Sequence, residues 1–574
     1  MSARTRDSNV RDRTGAILRQ NPRMSRIGIA AALALWATGS ALFAWRMWNW
    51  VLDFDPGFEF KHAPIPTGSP SSEGVTVLLV DGLRLDASRA MPALNILRSQ
   101  GADIEATVST PSFSRPGRAT VAVGAPPAIH GVTTNRQNRA VPLDNIIREV
   151  GAGGGACRVA GSKIWSSLFG ADIEKCGVYR QGESKEGPGA FVRQIGEVRR
   201  QEEAGIAFVL QQPAKLRIAD VVSTDFAAHE YGGKSPEYLA EVRRTDTLIA
   251  DLAKALDLSK QTLIVTADHG HRDQGGHGGE EAEVLAIPIV MVGAGIRPES
   301  RAAASQSDLA PTIAALLGVP IPSAASGAVL ESVLVQDDAR RAFLKAATDR
   351  QREAFERAVG ERLGRKTDFA GHTDWESLVT AQRNDRKDRT LALLAAFLVF
   401  PPSLVLVAVH FSRGSRAGLF AGTLALLALL LGPLGSRVPT MSFSAINYDE
   451  MLLPFFRNVM ALSVLGTLAA ILVAGSFGAM LGRKSRDHSV TDTAGLMGLV
   501  ISTALFMAMG SWWWWFDLLS PLTLPGPDRL VQAFSLTLAS LSTSLAALLV
   551  MAVLAGFERS PLGNLAGRSD VTEA

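Results

Sequence analysis

The chain has 574 residues, of which 47% are apolar and 20% charged, and its formal net charge at pH 7 is +3. This length exceeds that of one ordinary domain. A charge so close to neutral does not favour electrostatic binding to nucleic acid, so no nucleic-acid partner is expected.

Six segments are apolar enough and long enough to cross a membrane. The first, Ile27–Trp45, follows a stretch with seven arginines and only two aspartates. A cleaved signal peptide is an alternative for this segment, but no small-residue cleavage site follows it. Each of the other five could cross a hydrocarbon core of about 30 Å as a helix. These are Leu391–Phe411, Ala417–Leu434, Phe455–Leu481, Ala494–Phe516 and Leu530–Phe557. We therefore predict one transmembrane helix within 27–50 and five within 389–557.

The charges of the short loops predict the orientation of these helices. The loops 410–416 and 482–486 are basic, whereas the loops 436–454 and 517–529 carry few positive charges. Basic loops remain in the cytoplasm, which also places the tails 1–26 and 558–574 there and residues 51–388 outside. The Arg- and Ala-rich composition indicates a multi-pass protein of a bacterial inner membrane, with its large soluble part in the periplasm.

The part expected outside the membrane has three regions. Residues 51–74 are rich in Pro, Gly and Ser and are typical of a linker. Residues 336–388 are highly charged with helical spacing and are expected to form a helical connector back to the membrane. Between them, in residues 75–335, short apolar runs alternate with longer amphipathic ones, which is typical of an α/β domain. Strands are predicted at Val75–Val80, Arg158–Gly161, Ile206–Leu210, Ile218–Val222, Thr262–Ala267 and Ile287–Val292, and helices at Met91–Gln100, Pro116–Val123, Pro236–Ala255 and Asp308–Leu317.

The chain contains two cysteines, Cys157 and Cys176, and both fall in this domain. An oxidising compartment would permit a disulfide between them. Their spacing alone does not decide whether the two sulfurs meet.

Acidic residues follow three of the predicted strands. Asp81, Asp225 and Asp268 each stand just past an apolar run. In open α/β sheets, sites form beyond the carboxyl ends of the strands, so one edge of one sheet could gather all three. Three histidines accompany them, His229, His269 and His277. A histidine taken singly is usually just hydrogen-bonded, but this combination of carboxylates and imidazoles predicts a site for two divalent cations.

Ser114 stands immediately before a predicted helix that has Pro116 in its first turn. A serine in that place is often only a helix cap. Beside metal ligands, however, its hydroxyl could be deprotonated, and the helix end favours an anion. Arg115 and Arg118 are nearby donors suited to a tetrahedral oxyanion.

Taken together, these motifs resemble the alkaline-phosphatase superfamily. The resemblance rests on Asp81-Gly82 after a strand, Ser114 ten residues before Gly124, Asp225-x-x-x-His229, Asp268-His269-Gly270 and His277-Gly278-Gly279. Within the superfamily, the chain is similar to the type I phosphodiesterase/nucleotide pyrophosphatase branch and to the GPI ethanolamine-phosphate transferases. That likeness comes from 267–279, from Gly161-Ser162-Lys163-Ile164-Trp165 and from 308–322. The transferases also share the layout of a first span, an exported catalytic domain and a polytopic C-terminal region.

The resemblance implies a fold and a set of site residues. The fold would be an alkaline-phosphatase-like α/β sheet flanked by helices, beside an all-α transmembrane region. One zinc ion would be held by Asp225, His229 and His277. The other would be held by Asp81, Asp268 and His269, with Ser114 bridging towards it as nucleophile. Manganese is the alternative metal, whereas three histidines suit calcium poorly. Arg115, Arg118 and Lys163 are expected to bind substrate, and His271 to contact a metal ligand rather than a metal.

The expected function is a metal-dependent phosphotransferase or phosphodiesterase that forms a phospho-serine intermediate. The donor would be a phospholipid or other phosphodiester, for example a phosphoethanolamine headgroup, and the acceptor a hydroxyl on a glycan or lipid. A sulfatase or phosphonate monoester hydrolase is an alternative, because 114–118 also fits the S-x-P-x-R signature of enzymes that convert the first residue to formylglycine. A non-catalytic membrane scaffold is a third hypothesis, although it predicts lost ligands and every motif position is filled.

Overall fold

A computed structural model describes residues 22–137, 139–182, 189–362, 442–446, 452–481, 490–516 and 526–560, with five isolated positions between 391 and 403. In chain order, the elements up to the end of the central sheet are α1 (Pro22–Leu52), β1 (Gly74–Val80), α2 (Leu85–Ser88), α3 (Pro92–Gln100), β2 (Ala102–Thr107), α4 (Ser114–Val123), α5 (Pro127–His130), α6 (Ile146–Ala152), β3 (Cys157–Gly161), α7 (Lys163–Ile173), β4 (Gly177–Arg180), α8 (Ala190–Leu210), β5 (Leu216–Val221), α9 (Ser223–Tyr231), α10 (Pro236–Ala255), β6 (Gln261–Thr266), α11 (Ala282–Leu285), β7 (Ala286–Gly293) and β8 (Ser300–Ser305). They are followed by α12 (Leu309–Leu317), α13 (Asp338–Arg362), α14 (Phe443–Ile446), α15 (Leu452–Leu481), α16 (Val490–Phe516) and α17 (Pro527–Glu558).

Eight strands form one mixed sheet in the order β4-β3-β5-β1-β6-β7-β2-β8. At its centre β1 pairs in parallel with both β5 and β6, whereas β7 runs antiparallel to β6 and β2. Every residue of β1 is buried, as expected for a central parallel strand that is covered by helices on both faces. The predicted α/β sheet flanked by helices is confirmed.

The register of the three central strands places their carboxyl ends together. Val80 of β1 lies beside Val221 of β5, and Leu79 lies beside Thr266 of β6. The residues that follow these strands therefore emerge at the same edge of the sheet. This is the edge at which the sequence predicted a site.

Most of the predicted elements are present, but one strand is wrong. Residues 206–210 form the last turn and a half of α8, in which Val198, Glu202, Gly205, Ile206 and Val209 are buried at helical spacing. A short apolar run does not distinguish a strand from the buried face of a helix, which is why the pattern misled. Three strands were not predicted. These are the edge strands β4 and β8 and the strand β2, in which small or apolar residues alternate with charged ones.

Residues 53–73, expected to form a linker, run in irregular conformation along the domain. Phe54 and Phe58 are buried, and Ile65 forms an isolated bridge with Ile321. The Thr67 hydroxyl donates to the carbonyl of Val319 at 2.8 Å. A disulfide between Cys157 and Cys176 joins β3 to the turn before β4, which answers the question that their spacing left open.

Four helices are long and apolar enough to cross a membrane: Arg26–Leu52, Leu453–Val473, Thr491–Trp514 and Pro527–Glu558. They correspond to four of the six predicted spans. The other two, Leu391–Phe411 and Ala417–Leu434, lie outside the described residues apart from isolated positions. Hydrogen bonds join the helices, from Ser40 to Ser540 and from Thr467 to Thr543. Arg26 also forms ion pairs with Asp492 and Glu558. These apolar helices indicate a membrane protein.

Candidate active site and metal centre

The three carboxylates predicted from the strand ends lie at one edge of the sheet. Asp81 follows β1, and Asp268 is the second residue after β6. Asp225 is the third residue of α9, which starts two residues after β5. The Thr224 hydroxyl donates to the Asp81 carbonyl at 2.5 Å, which ties the start of α9 to the end of β1.

A first group of donor atoms surrounds Asp225. Its Oδ1 lies 3.5 Å from His229 Nε2, 3.7 Å from His277 Nε2 and 2.6 Å from His271 Nε2. The Nε2 atoms of His229 and His277 are 3.1 Å apart. One ligand atom from each of these four residues lies within 4.8 Å of all the others. His229 joins Asp225 because positions i and i+4 share a face of α9.

A second group shares Asp225 with the first and adds Asp81 and His269, again within 4.8 Å of one another. His269 Nε2 lies 3.4 Å from Asp81 Oδ1. Asp268 adjoins this group, with its Oδ2 3.8 Å from His269 Nε2. Its Oδ1 accepts hydrogen bonds from the backbone N–H groups of Gly82 and His269. The six residues predicted as metal ligands are therefore together, with Asp225 between the two groups.

The electrostatics of the cluster favour bound cations. Burial, together with the charges of Asp225 and Asp268, raises the pKa of Asp81 well above its usual value. Asp81 Oδ1 is also buried without a hydrogen-bond partner. A buried carboxylate beside two others is stable as an anion only if positive charge lies nearby.

Burial favours the neutral form of two of the imidazoles, which is the form that binds a metal. Burial lowers the pKa of His271 to about 4 and the pKa of His277 well below its usual value. Burial opposes ionisation of Asp225, but the neighbouring imidazoles hold the pKa of that carboxyl well below its ordinary value. Neutral imidazole and ionised carboxylate are the forms that bind zinc or manganese, so these residues fit divalent cations.

Ser114 is the first residue of α4, which ends at Gly124 in a left-handed conformation. Its side chain is buried, and its Oγ lies 3.2 Å from His269 Nε2. The hydroxyl therefore contacts the second group of donor atoms. The N-terminus of a ten-residue helix adds a positive potential at the same place.

Arg118 lies behind the carboxylates, which differs from the expectation that it faces a substrate oxyanion. It is fully buried and donates to Asp268 Oδ2 at 2.6 Å, Asp81 Oδ2 at 2.9 Å and Asp220 Oδ2 at 3.1 Å. Burial disfavours its charge, but the three carboxylates raise the pKa of the guanidinium well above its usual value. Arg118 is thus the fixed counter-charge of the cluster.

Asp220 was missed by sequence reasoning. It sits inside β5, fully buried, and also accepts from Trp165 Nε1 at 3.0 Å. An acidic residue inside a mostly apolar strand was the available signal, because a buried carboxylate needs a partner.

Arg115 and Lys163 occupy the periphery of the site. The Arg115 amide donates to Asn135 Oδ1 at 2.9 Å, and its Nε donates to the Asn135 carbonyl at 3.0 Å. Its guanidinium also contacts Ser167 of α7, the helix that Lys163 begins. Lys163 itself is exposed. Asn135 is a second residue that sequence reasoning missed, since a lone asparagine in a polar loop carries no signal.

Comparison with known families agrees with this arrangement. Residues 75–150 and 191–280 match the family model of type I phosphodiesterase / nucleotide pyrophosphatase. The first segment contains Asp81 and Ser114, and the second contains the other predicted ligands. The chain carries a type I phosphodiesterase/nucleotide pyrophosphatase domain. The resemblance to this family that the motifs predicted is confirmed over these two segments.

The curated relatives of this domain include ethanolamine-phosphate transferases. The catalytic subunit of GPI ethanolamine phosphate transferase 3 from Homo sapiens is 25% identical over 288 residues, which cover 45% of this chain and 25% of the relative. The catalytic subunit of the human transferase 2 is 24% identical over 304 residues, 47% of this chain and 30% of the relative. The chain thus spans between a quarter and a third of the length of these relatives.

Among solved structures, an inactive murine ectonucleotide pyrophosphatase / phosphodiesterase 5 in complex with AMP is similar to part of this chain. It is 15% identical, with a TM-score of 0.37, and the match covers 46% of this chain and 100% of that chain.

Proposed function

We propose that this protein is a membrane-bound phosphoethanolamine transferase that uses Ser114 as nucleophile. The observation that carries the proposal is the Ser114 hydroxyl, which lies 3.2 Å from His269 at a helix N-terminus beside the clustered carboxylates and imidazoles. The family model and the two transferases named above support a phosphoester substrate. The donor would be a phospholipid or another phosphodiester, and the acceptor a hydroxyl group.

Two divalent cations, zinc or manganese, are part of the proposal. Asp225, His229 and His277 would hold one, and Asp81, Asp268 and His269 the other. The unpaired Oδ1 of Asp81 and its raised pKa support this assignment. When bound, such a pair supplies positive charge for the attacking and leaving oxygens of a displacement at phosphorus.

The protein's own residues would perform the transfer in two steps. Ser114 Oγ loses its proton to water and bonds to the phosphorus of the donor, while the bond from phosphorus to the donor alcohol breaks and that alcohol takes up a proton. The acceptor hydroxyl then displaces Ser114 from phosphorus, loses its proton to water and leaves a free serine. The N-terminus of α4 stabilises negative charge at Ser114 during both steps.

We place this chemistry at the outer face of a bacterial inner membrane. The basic loops 410–416 and 482–486 support a cytoplasmic side opposite the soluble domain. The Cys157–Cys176 disulfide also supports an oxidising compartment such as the periplasm.

Replacement of the nucleophile tests the proposal. The full chain, purified with its metals, should hydrolyse bis-p-nitrophenyl phosphate, and Ser114→Ala should lower this turnover by about 10³-fold or more. Ser114→Thr keeps a hydroxyl and should retain part of the activity. Metal content measured on all three proteins separates loss of the nucleophile from loss of the cations. Full activity of Ser114→Ala at full metal occupancy would contradict the proposal.

Mass spectrometry tests the competing sulfatase function and the donor. The peptide that contains Ser114 should have the mass of unmodified serine, and a formylglycine mass would favour the sulfatase. With vesicles of labelled phosphatidylethanolamine, phosphoethanolamine should appear transiently on Ser114. If bis-p-nitrophenyl phosphate is cleaved in a Ser114-dependent way but phosphatidylethanolamine is not cleaved, the donor assignment is wrong and the nucleophile assignment stands. Cleavage of phosphatidylethanolamine that never labels Ser114 would contradict the nucleophile assignment.

A further inference from the structure

His271 lies among the donor atoms, although the motif assigns it no metal. It is fully buried, and its ring centroid is 5.0 Å from those of both His229 and His277. Its Nε2 approaches Asp225 Oδ1 at 2.6 Å, the same oxygen that faces the other two histidines. The nitrogen therefore points into the middle of the group rather than at the outer side of Asp225.

The surrounding chain holds this imidazole in place. Arg84 Nη1 donates to the His271 carbonyl at 2.6 Å. A Cβ on Gly82 would lie 2.8 Å from His271 Cδ2, and a Cβ on Gly233 would lie 3.0 Å from His271 Cβ. Gly82 also has φ +69°, a conformation in which a side chain would be strained. Two glycines thus leave the space that the His271 ring fills.

The distances within the group suit one four-coordinate ion. Ligand atoms about 2.0–2.1 Å from a tetrahedral zinc lie about 3.3 Å apart. The pairs among Asp225, His229 and His277 are separated by 3.1, 3.5 and 3.7 Å. His271 Nε2 approaches the same Asp225 oxygen at 2.6 Å. A small outward shift of the ring would therefore bring this distance to that of the other pairs.

The other reading is that His271 donates a hydrogen bond to Asp225 and only orients it. A histidine with that role ordinarily bonds the carboxylate oxygen that faces away from the metal. Here Nε2 instead contacts Oδ1, the oxygen that belongs to the donor group. Among the ligands, His277 Nδ1 is fixed by the Ser112 carbonyl at 3.0 Å, whereas His271 Nδ1 is buried without a hydrogen-bond partner. The His271 ring is therefore held by its packing against Gly82 and Gly233 rather than by a hydrogen bond to Nδ1.

We infer that His271 is a fourth protein ligand of the cation held by Asp225, His229 and His277. The inference rests on the two-cation centre of the proposed function but not on the reaction. It changes the donor set of this ion to three imidazoles and one carboxylate. Such a set favours zinc over magnesium or manganese and retains the ion more tightly than the carboxylate-rich group of Asp81, Asp268 and His269.

Two substitutions separate a ligand from an orienting residue. His271→Leu removes every donor, whereas His271→Gln keeps an N–H that can bond Asp225 but is a poor zinc ligand. The full-length protein is loaded with zinc, and metal content is measured during titration with a chelator. The same proteins loaded with cobalt report the coordination of the ion through their visible absorption. His62→Met serves as the control, since His62 contacts Gln351 away from the cluster.

Both His271 variants should lose about tenfold or more in affinity for one of two ions, and both should shift the cobalt bands. The affinity for the second ion, and both affinities of the His62→Met protein, should match those of the parent.

If His271→Gln binds metal and absorbs like the parent, His271 only orients Asp225 and the inference is overturned. Unchanged binding by both variants overturns it as well. A parent protein that binds no divalent metal overturns the metal centre itself, and normal metal binding without phosphodiester turnover overturns only the proposed function.

Discussion

Gly117 lies where α4 packs directly on the turn that carries Asp268. A Cβ at this position would lie 2.8 Å from both the Cβ and the carbonyl oxygen of Asp268. Real Cβ atoms do not approach so closely, and one of the contacting atoms belongs to the backbone. The helix that begins with Ser114 and the turn that bears Asp268 and His269 are therefore in contact because residue 117 has no side chain.

We expect Gly117→Ala to destabilise the protein by about 1–3 kcal/mol, the usual cost of overpacking. The displaced turn should also weaken metal binding. Denaturant unfolding and chelator titration measure the two effects. Gly151→Ala is the matched control, because a Cβ there has no atom within 4 Å and alanine favours the helix. Equal stability of the two variants would show that α4 is not tightly packed on this turn.

At the scale of elements, helix α8 orients helix α9. Glu202 of α8 is fully buried, and its Oε1 accepts from the amides of Val222 and Ser223 at 2.8 and 2.7 Å. Arg244 of α10 donates to Oε2 of the same carboxylate at 2.6 Å. These bonds satisfy amides at the start of α9, whose next residues include Asp225 and, one turn later, His229. A glutamate on a neighbouring helix thus orients the helix that carries two of the predicted metal ligands.

Glu202→Ala should cost about 3–5 kcal/mol, because it leaves Arg244 and two buried amides without their acceptor. It should also lower the affinity of the Asp225 cation. Glu203→Ala is a close control: Glu203 bonds the same arginine at 2.9 Å but is more than half exposed, so its loss should cost less than about 1 kcal/mol. Thermal unfolding and metal titration of both variants check this ranking, and comparable losses would refute it.

At the scale of the whole molecule, the short helix α14 joins the membrane region to the active site. The Ser444 hydroxyl accepts from the Gly279 amide at 2.8 Å and donates to Glu281 at 2.7 Å. The Phe443 ring packs edge-on against Phe113 at 5.6 Å, and Phe113 in turn contacts His277 at 5.7 Å. The residue before the proposed nucleophile and a predicted metal ligand are thus linked to α14, the short helix that precedes the apolar helix α15.

This contact predicts a difference between soluble and lipid substrates. Phe443→Ala should lower transfer from phosphatidylethanolamine in vesicles about tenfold, because the turn holds the His277 loop beside the membrane helices. Hydrolysis of bis-p-nitrophenyl phosphate should change less than about threefold. Ser463→Ala is the control in α15, because the Ser463 hydroxyl donates to the Val459 carbonyl of its own helix. Equal losses with both substrates would show that Phe443 supports the active site in general and has no separate effect on lipid substrates.

The candidate metal ligands could be selected from the sequence because their signals are local. Asp81 and Asp268 follow buried strands, and the spacing from Asp225 to His229 puts both on one helix face. The roles of Arg118 and Asp220 could not be predicted in this way, because a buried charge is explained only by the partners that folding brings to it. The helical state of 206–210 was also decided by packing, since its apolar residues suit either a strand or a helix.

Residue type and short-range spacing were enough to predict the α/β pattern, the apolar helices and the candidate ligands. Tertiary structure alone decided that Cys157 meets Cys176, that Arg118 bonds the clustered carboxylates and that His271 lies among the donor atoms. It also decided that Phe443 reaches Phe113 across 330 residues of chain. Such contacts join elements that are distant in sequence, and their geometry depends on how the sheet and helices pack rather than on any local pattern.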